Sequence, residues 1–167
     1  MNKPIKASFL LLLGTFSNLL FAECTNIEGI EILNFGLYSI KEVRVENIDS
    51  NPDGKVRVFQ NIINTEKTWN IPAKLKTSFG LKYKIAGAPL DCETEIKRVT
   101  LYPEPGLKNP QTGSSINSLE KKLKLKVGQS YALGFIFNEP WEMVKGEWKY
   151  QLWHNNHLLA EKTFYVE

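Results

Sequence analysis

Residues 146–166, GEWKYQLWHNNHLLAEKTFYV, contain two segments of alternating apolar and polar residues on either side of a polar turn. The side chains of a strand point alternately to its two faces, so each segment predicts a strand with one buried face. The two apolar sets are Trp148, Tyr150 and Leu152 in the first segment and Ala160, Phe164 and Val166 in the second.

Both apolar sets can reach the same core only in one pairing register. Leu152 must lie opposite Ala160, and Trp148 opposite Phe164, because a slip of one residue would turn one set toward solvent. This register predicts an odd-numbered loop, Asn155-Asn156-His157, in place of the two-residue turn that Asn155-Asn156 first suggests. A cross-strand contact between Leu152 and Leu159 would contradict it.

The same alternation recurs along the rest of the chain. Phe79, Leu81, Tyr83 and Ile85 alternate with Gly80, Lys82 and Lys84, and two further apolar sets are Leu119, Leu123, Leu125 and Val127, and Tyr131, Leu133, Phe135 and Phe137. Further strands are predicted at about 30–47, 55–64 and 95–102, and glycine-rich and proline-rich turns at regular intervals leave little room for helices. Seven or eight strands predict an all-β, antiparallel, immunoglobulin-like sandwich, with a small β-barrel as the alternative.

The composition agrees with a globular chain. Its 167 residues include 21 Lys and Arg against 18 Asp and Glu, and 43% are hydrophobic. This balance excludes a disordered tail, a collagen-like or low-complexity chain and a polytopic membrane protein. We expect one domain over residues 23–167.

Residues 1–22 have the features of a secretory signal peptide. Lys3 and Lys6 form a basic start, an apolar run covers residues 9–20, and the small residue Ala22 precedes the expected cut. A lipoprotein signal ending at Cys24 is the alternative, but the acidic Glu23 does not suit its cleavage site. We therefore expect an exported protein, with the periplasm favoured over the extracellular space and no membrane span once the leader is removed.

Removal of the leader also removes two lysines, which leaves 19 basic against 18 acidic residues. So small an excess gives no reason to expect nucleic acid as a partner. The two cysteines, Cys24 and Cys92, both remain, and two thiols in an oxidising compartment usually pair. We predict a disulfide between them, since the C-x-x-C spacing of a redox-active pair is missing.

Several motifs in residues 70–167 resemble a bacterial family known only as a domain of unknown function. They are Ile71-Pro72-Ala73 with Ser78-Phe79-Gly80, Tyr102-Pro103 with Pro105-Gly106, Phe137-Asn138-Glu139-Pro140-Trp141, and Gly146-Glu147-Trp148. The resemblance implies an immunoglobulin-like sandwich and a bacterial source. It implies no activity and supplies no catalytic residues.

The sequence contains no recognisable catalytic motif and implies no cofactor. His154 and His157 fall at the predicted hairpin tip, but two histidines without a third ligand make a weak metal site, and a polar turn is the favoured interpretation. Glu139 and Glu142 flank Trp141, as the two carboxylates of a glycosidase would. The favoured interpretation is structural: a corner at residues 138–140, with Trp141 closing one end of the sandwich and Glu139 accepting backbone hydrogen bonds.

Two surfaces are candidates for binding. Trp153 faces away from the predicted core and is the first candidate for a contact residue, followed by Trp141, Glu139 and Trp69, because tryptophan is enriched where proteins bind. Lys122, Lys124 and Lys126, joined by Lys82 and Lys84, could form a basic face for an anionic envelope ligand, although a solvated face that hinders edge pairing is favoured.

These features favour a non-catalytic, exported binding module of the bacterial envelope, with an envelope protein or another envelope ligand as partner. A hydrolase using Glu139 and Glu142 is the second hypothesis, and a structural protein that offers a sheet edge to an extended peptide is the third.

Overall fold

A computed structural model describes residue 24 and residues 26–47 and 55–167. The predicted leader, residues 1–22, and the segment 48–54 between two of the predicted strands lie outside the described residues. Within the described part of the chain, no helix is long and apolar enough to cross a membrane.

Eight long strands and three two-residue strands make up most of the described chain, with one 3₁₀ helix, Pro140–Glu142. The strands are β1 (Asn26–Asn47), β2 (Lys55–Glu66), β3 (Asn70–Ile71), β4 (Ser78–Ala88), β5 (Glu93–Leu101), β6 (Leu107–Lys108), β7 (Ser115–Ile116), β8 (Ser118–Lys126), β9 (Ser130–Ile136), β10 (Gly146–His154) and β11 (His157–Val166).

The long strands form two sheets, ordered β2-β1-β4-β9 and β3-β11-β10-β5-β8, while β6 and β7 form a small hairpin. All pairings are antiparallel except that of β3 with β11. The two sheets enclose one hydrophobic core cluster. The predicted immunoglobulin-like sandwich is confirmed, and the eight long strands agree with the predicted number.

Trp148 is at the centre of the core and is fully buried. Its ring centroid lies 4.9 Å from that of Phe135, 5.0 Å from that of Tyr102 and 5.6 Å from that of Phe79. Its indole N–H donates to the carbonyl oxygen of Val144 at 2.8 Å, so the polar atom of this buried ring is satisfied. Aromatic side chains from both sheets therefore meet on one residue of β10.

The C-terminal hairpin has the predicted register but a different loop. Leu152 pairs with Ala160, and Trp148 pairs with Phe164, as expected. The three-residue loop is wrong, because His154 pairs with His157 across a two-residue turn in which Asn155 and Asn156 have φ values of 45° and 62°. Asparagine tolerates this left-handed conformation. Leu159 is an unpaired extra residue, a β-bulge, and it turns the apolar residues that follow it in β11 toward the core.

β1 pairs with two different strands. Its first half pairs with β4 and its second half with β2, and the change occurs at Leu37, which pairs with both. Gly36, just before it, has φ +116°, and a Cβ there would overlap the carbonyl oxygen of Glu66. The side-chain amide of Asn64 donates to the carbonyl oxygens of Phe35 and Leu37 at 3.0 Å each, which holds this crossing in place.

The predicted disulfide is present. Cys24 and Cys92 are bonded, with their Cα atoms 5.3 Å apart and a separation of 68 positions in sequence. Cys92 is buried at the edge of the core, so the bond fastens the start of the described chain to β5, which begins at Glu93.

Loss of this disulfide should lower the free energy of unfolding by about 4 kcal/mol, because the bond closes a long loop in the unfolded chain. The double variant Cys24→Ser/Cys92→Ser, compared with the oxidised protein in urea unfolding, measures the effect. Wild-type protein unfolded under reducing conditions is the control and should match the double variant. An unchanged unfolding midpoint would contradict the prediction.

Two core tyrosines should make the fold sensitive to alkali. Burial raises the pKa of Tyr150 well above its usual value, and burial also raises the pKa of Tyr83, against the opposing effect of the Arg98 charge. A tyrosine of the unfolded chain ionises near pH 10, whereas these buried tyrosines stay neutral to higher pH. Ionisation therefore favours the unfolded state, so the free energy of unfolding falls as the pH rises above about 10. The urea midpoint should therefore fall between about pH 8 and about pH 11.

Tyr150→Phe is the matched variant. The Tyr150 hydroxyl has no hydrogen-bond partner among the described residues, so its removal should not lower the stability at neutral pH. The alkaline loss should be smaller in this variant. An equal loss in both proteins would show that Tyr150 does not contribute.

Candidate functional site

Trp153 lies on the outer face of the five-stranded sheet, partly exposed, as its position in the alternation of β10 predicted. Its indole N–H donates to the side-chain oxygen of Gln151 at 3.0 Å, and the Nζ of Lys97 lies 5.1 Å from the ring centroid. These contacts come from the same sheet. Neighbouring residues of the sheet therefore support the indole.

Trp153 borders a shallow hollow of about 220 Å³ that is mostly polar. Sheet register assembles it, because Trp153 of β10 pairs with Lys97 of β5, and Lys97 pairs with Lys122 of β8. The other residues around it are Glu95, Asn155 and Asn156. We call this set the Trp153 hollow.

The charges in the Trp153 hollow are partly matched. The Nζ of Lys122 lies 3.1 Å from the carboxylate of Glu95, and both side chains are more than half exposed. Such an exposed pair contributes about 0–1 kcal/mol and is weakened by salt, so both groups remain available to a ligand. The hollow combines an aromatic surface with amide, carboxylate and ammonium groups, which suits a protein surface better than an apolar small molecule.

The other tryptophans do not join Trp153. Trp69 stacks on Phe35 with ring centroids 3.7 Å apart and an interplanar angle of 6°. Trp141 is partly buried and packs against the core cluster. Both therefore contribute to packing between elements, as Trp148 does.

Glu139 and Glu142 have different environments. Glu142 is only 2% exposed, and its carboxylate accepts hydrogen bonds from the backbone N–H groups of Asn138 and Glu139 at 2.6 and 3.0 Å. Glu139 is exposed. The predicted corner is present, with the short helix Pro140–Glu142. Glu139 and Glu142 form a reciprocal capping box there, in which the Glu139 side chain faces the backbone N–H of Glu142 and the Glu142 carboxylate accepts from the backbone N–H of Glu139.

This arrangement does not resemble a carboxylate pair for hydrolysis. Glu142 is held by backbone donors beneath the corner, and a glycosidase needs both carboxylates beside the scissile bond. The carboxylate of Glu142 therefore stabilises the corner that carries the chain from β9 into β10.

His154 and His157 face each other across the hairpin turn. The Nδ1 of His154 lies 3.2 Å from the hydroxyl of Thr94 and 3.2 Å from the carbonyl oxygen of Glu95, whereas His157 is exposed. The described residues include no group of three or more potential metal ligands. His154 thus attaches the hairpin to β5.

The five lysines do not form one basic face. Lys82 and Lys84 lie on β4 in the four-stranded sheet, whereas Lys122, Lys124 and Lys126 lie on β8 in the other sheet. Outward residues of two packed sheets point in opposite directions, so the expected joint surface is wrong. The Nζ of Lys84 lies 3.8 Å from the carboxylate of Glu31, and this negative charge reduces the positive potential around Lys84.

A second concavity was missed by the sequence analysis. It is a groove of about 450 Å³ between the edge strands β8 and β9, with mainly apolar walls. Arg98 and Lys121 also line it. The available signal was that each of these cations occupies an inward position of its strand, where the alternation calls for an apolar residue.

The comparisons with known proteins agree with the fold. Residues 28–166 match the model of the family described as domain of unknown function DUF3859. An immunoglobulin-like protein from Pseudomonas aeruginosa, known from a crystal structure, is 28% identical, with a TM-score of 0.59 over 89% of this chain and 99% of that chain. No curated protein matches the chain.

Glu142→Gln should destabilise the corner by about 1–3 kcal/mol, because the backbone N–H groups of Asn138 and Glu139 would lose a charged acceptor. Urea unfolding measures the change. Glu139→Gln is the matched control, since this neighbouring carboxylate is exposed, and it should change stability by less than about 0.5 kcal/mol. Equal effects of the two substitutions would contradict the assignment.

Proposed function

Because the chain belongs to the family of the domain of unknown function DUF3859 and has an immunoglobulin-like sandwich, we propose that it is an exported, non-catalytic binding module of the cell envelope. Its partner in this proposal is another envelope protein, bound at the Trp153 hollow. The periplasm is the proposed location.

The observation that carries the proposal is the position of Trp153. Of the four tryptophans, three pack within the domain, and Trp153 alone lies on the outer face of a sheet. Tryptophan on a rigid strand offers a large contact area at a small cost in side-chain entropy. Lys97 and Gln151 also hold the ring in place, which lowers the cost of ordering it on binding.

The surroundings of Trp153 suggest what the partner provides. An apolar or aromatic side chain would cover the indole, and polar groups would meet Asn155 and Asn156 on the adjacent turn. Glu95 and Lys122 lie at the same site with opposite charges, so a partner with both signs of charge fits best.

Two further features support export. The disulfide between Cys24 and Cys92 fits a protein that matures in an oxidising compartment. The predicted leader ends at Ala22, so cleavage would leave both cysteines in the mature chain.

Trp153→Ala should abolish capture of the partner. Tagged protein is crosslinked in intact cells, and bound proteins are compared between wild type and variant. Tyr165→Ala is the matched control, because Tyr165 lies on the same sheet, is 47% exposed and is not part of the hollow. Wild type and Tyr165→Ala should capture the same protein, and Trp153→Ala should lose it.

The interaction must also saturate when the captured protein is purified and titrated. A partner retained equally by all three proteins would remove Trp153 from the contact. Mutation-sensitive turnover of a glycan panel, lost in Glu139→Gln, would replace the binding module with the hydrolase interpretation.

A further inference from the structure

At one side of the sandwich, the five-stranded sheet extends farther than the four-stranded sheet. Arg98 of β5 donates from Nε to the hydroxyl of Tyr83 on β4 at 2.8 Å, and Tyr102, just after β5, lies 6.3 Å from Phe135 of β9 between ring centroids. β5 therefore faces β4 and β9, and β8 extends beyond β9. Beyond β9, the described part of the four-stranded sheet contributes Ile62 of β2 to the space beside the inner face of β8.

The uncovered inner face of β8 forms one wall of the groove. Leu119 and Leu123 are only partly buried there, although the same face is buried at Leu125. The opposite wall consists of Tyr131, Leu133 and Phe135 of β9, together with Ile62 of β2. A strand paired to the free edge of β9 would lie in this space and cover both walls.

The edge of β9 is open to such pairing. Its sequence, SYALGFI, contains no charge and no proline, and natural edge strands usually carry one or the other to prevent pairing. β8, the other edge, has four lysines within nine residues. Apart from the pairing of β9 with β4, one hydrogen bond reaches the β9 backbone among the described residues: the side-chain amide of Asn138 donates to the carbonyl oxygen of Ile136.

The groove also contains an unusual pair of cations. Arg98 and Lys121 lie directly opposite each other in the β5–β8 register and both line the groove. Like charges in this position are destabilising. No carboxylate among the described residues pairs with either, whereas the outward cation Lys122 has Glu95. Arg98 donates to the Tyr83 hydroxyl and lies 5.4 Å from its ring centroid, but neither contact supplies a full negative charge. A repulsion that no carboxylate offsets is typical of a binding site.

We propose that an extended segment of a partner protein, apolar with an acidic residue among its inward side chains, adds to β9 as a fifth strand. Backbone hydrogen bonds to Ser130–Ile136 supply pairing over about 23 Å. Inward apolar side chains cover Leu119 and Leu123, and the inward carboxylate lies between Arg98 and Lys121. A second copy of β9 fits less well, because it has no carboxylate to offer this pair.

This site is separate from the Trp153 hollow. Lys121 and Lys122 are neighbours on β8 but point to opposite faces, Lys121 into the groove and Lys122 into the hollow. The inference therefore does not depend on the proposed function, and each can fail without the other.

The test uses the purified, oxidised protein and a capped seven-residue peptide in which threonine alternates with valine, glutamate and leucine. We expect saturable changes in the amide resonances of β9 and slower hydrogen exchange along its free edge. A peptide N-methylated on the backbone groups that face β9 should lose binding, because its side chains remain but its hydrogen bonds do not.

Charge exchange identifies the site. Lys121→Glu should lower the affinity for the glutamate peptide by about tenfold. The same variant should bind a peptide with lysine in place of glutamate more tightly than the wild type does. Lys122→Glu is the matched control and should leave both affinities unchanged, because its side chain faces the other way.

Three results would overturn the proposal. They are the absence of saturable binding by the glutamate peptide, equal binding of the N-methylated peptide, and equal effects of Lys121→Glu and Lys122→Glu. Binding of dodecanoate to the groove in the absence of peptide binding would also overturn it, and would assign the groove to a single-chain amphiphile.

Discussion

The strict alternation of side chains along β10 is the constraint on which the rest of the structure depends. It places Trp148 in the core and Trp153 on the outer surface, five residues apart on one strand. Trp148 connects aromatic rings from both sheets, so any shift in the register of β10 would remove the central residue of the core. The same shift would turn Trp153 inward and eliminate the hollow.

The bulge at Leu159 makes this arrangement compatible with a tight turn. A two-residue turn alone would give β11 the wrong parity, and its apolar residues would face solvent. One extra residue in β11 corrects the parity beyond the turn, so that Ala160 and Phe164 reach the core. Leu158, before the bulge, is therefore left exposed.

Much of the fold could be predicted because alternation, turn residues and cysteine pairing act locally or through simple geometry. The register of the last hairpin followed from parity alone. The choice between a three-residue loop and a two-residue turn with a bulge did not, since both satisfy parity. That choice depends on the left-handed conformation of Asn155 and Asn156.

The candidate sites were less predictable because they depend on which strands become neighbours. Trp153 could be identified from its face, but Lys97 and Lys122 reach it only through sheet order. Arg98 and Lys121 come together by the same pairing on the opposite face. The separation of Lys82 from Lys122 and the burial of Glu142 likewise required the assembled sandwich.

Site-specific photo-crosslinking in cells tests the central claim, that the domain binds a partner through the Trp153 hollow, most directly. A photoreactive residue at Lys122, whose side chain is 68% exposed beside the hollow, is compared with one at Ser118, an exposed residue farther along β8 outside it. The account predicts a crosslink to one envelope protein from position 122 and none from position 118. Equal crosslinking from both positions, or none from position 122, would contradict it.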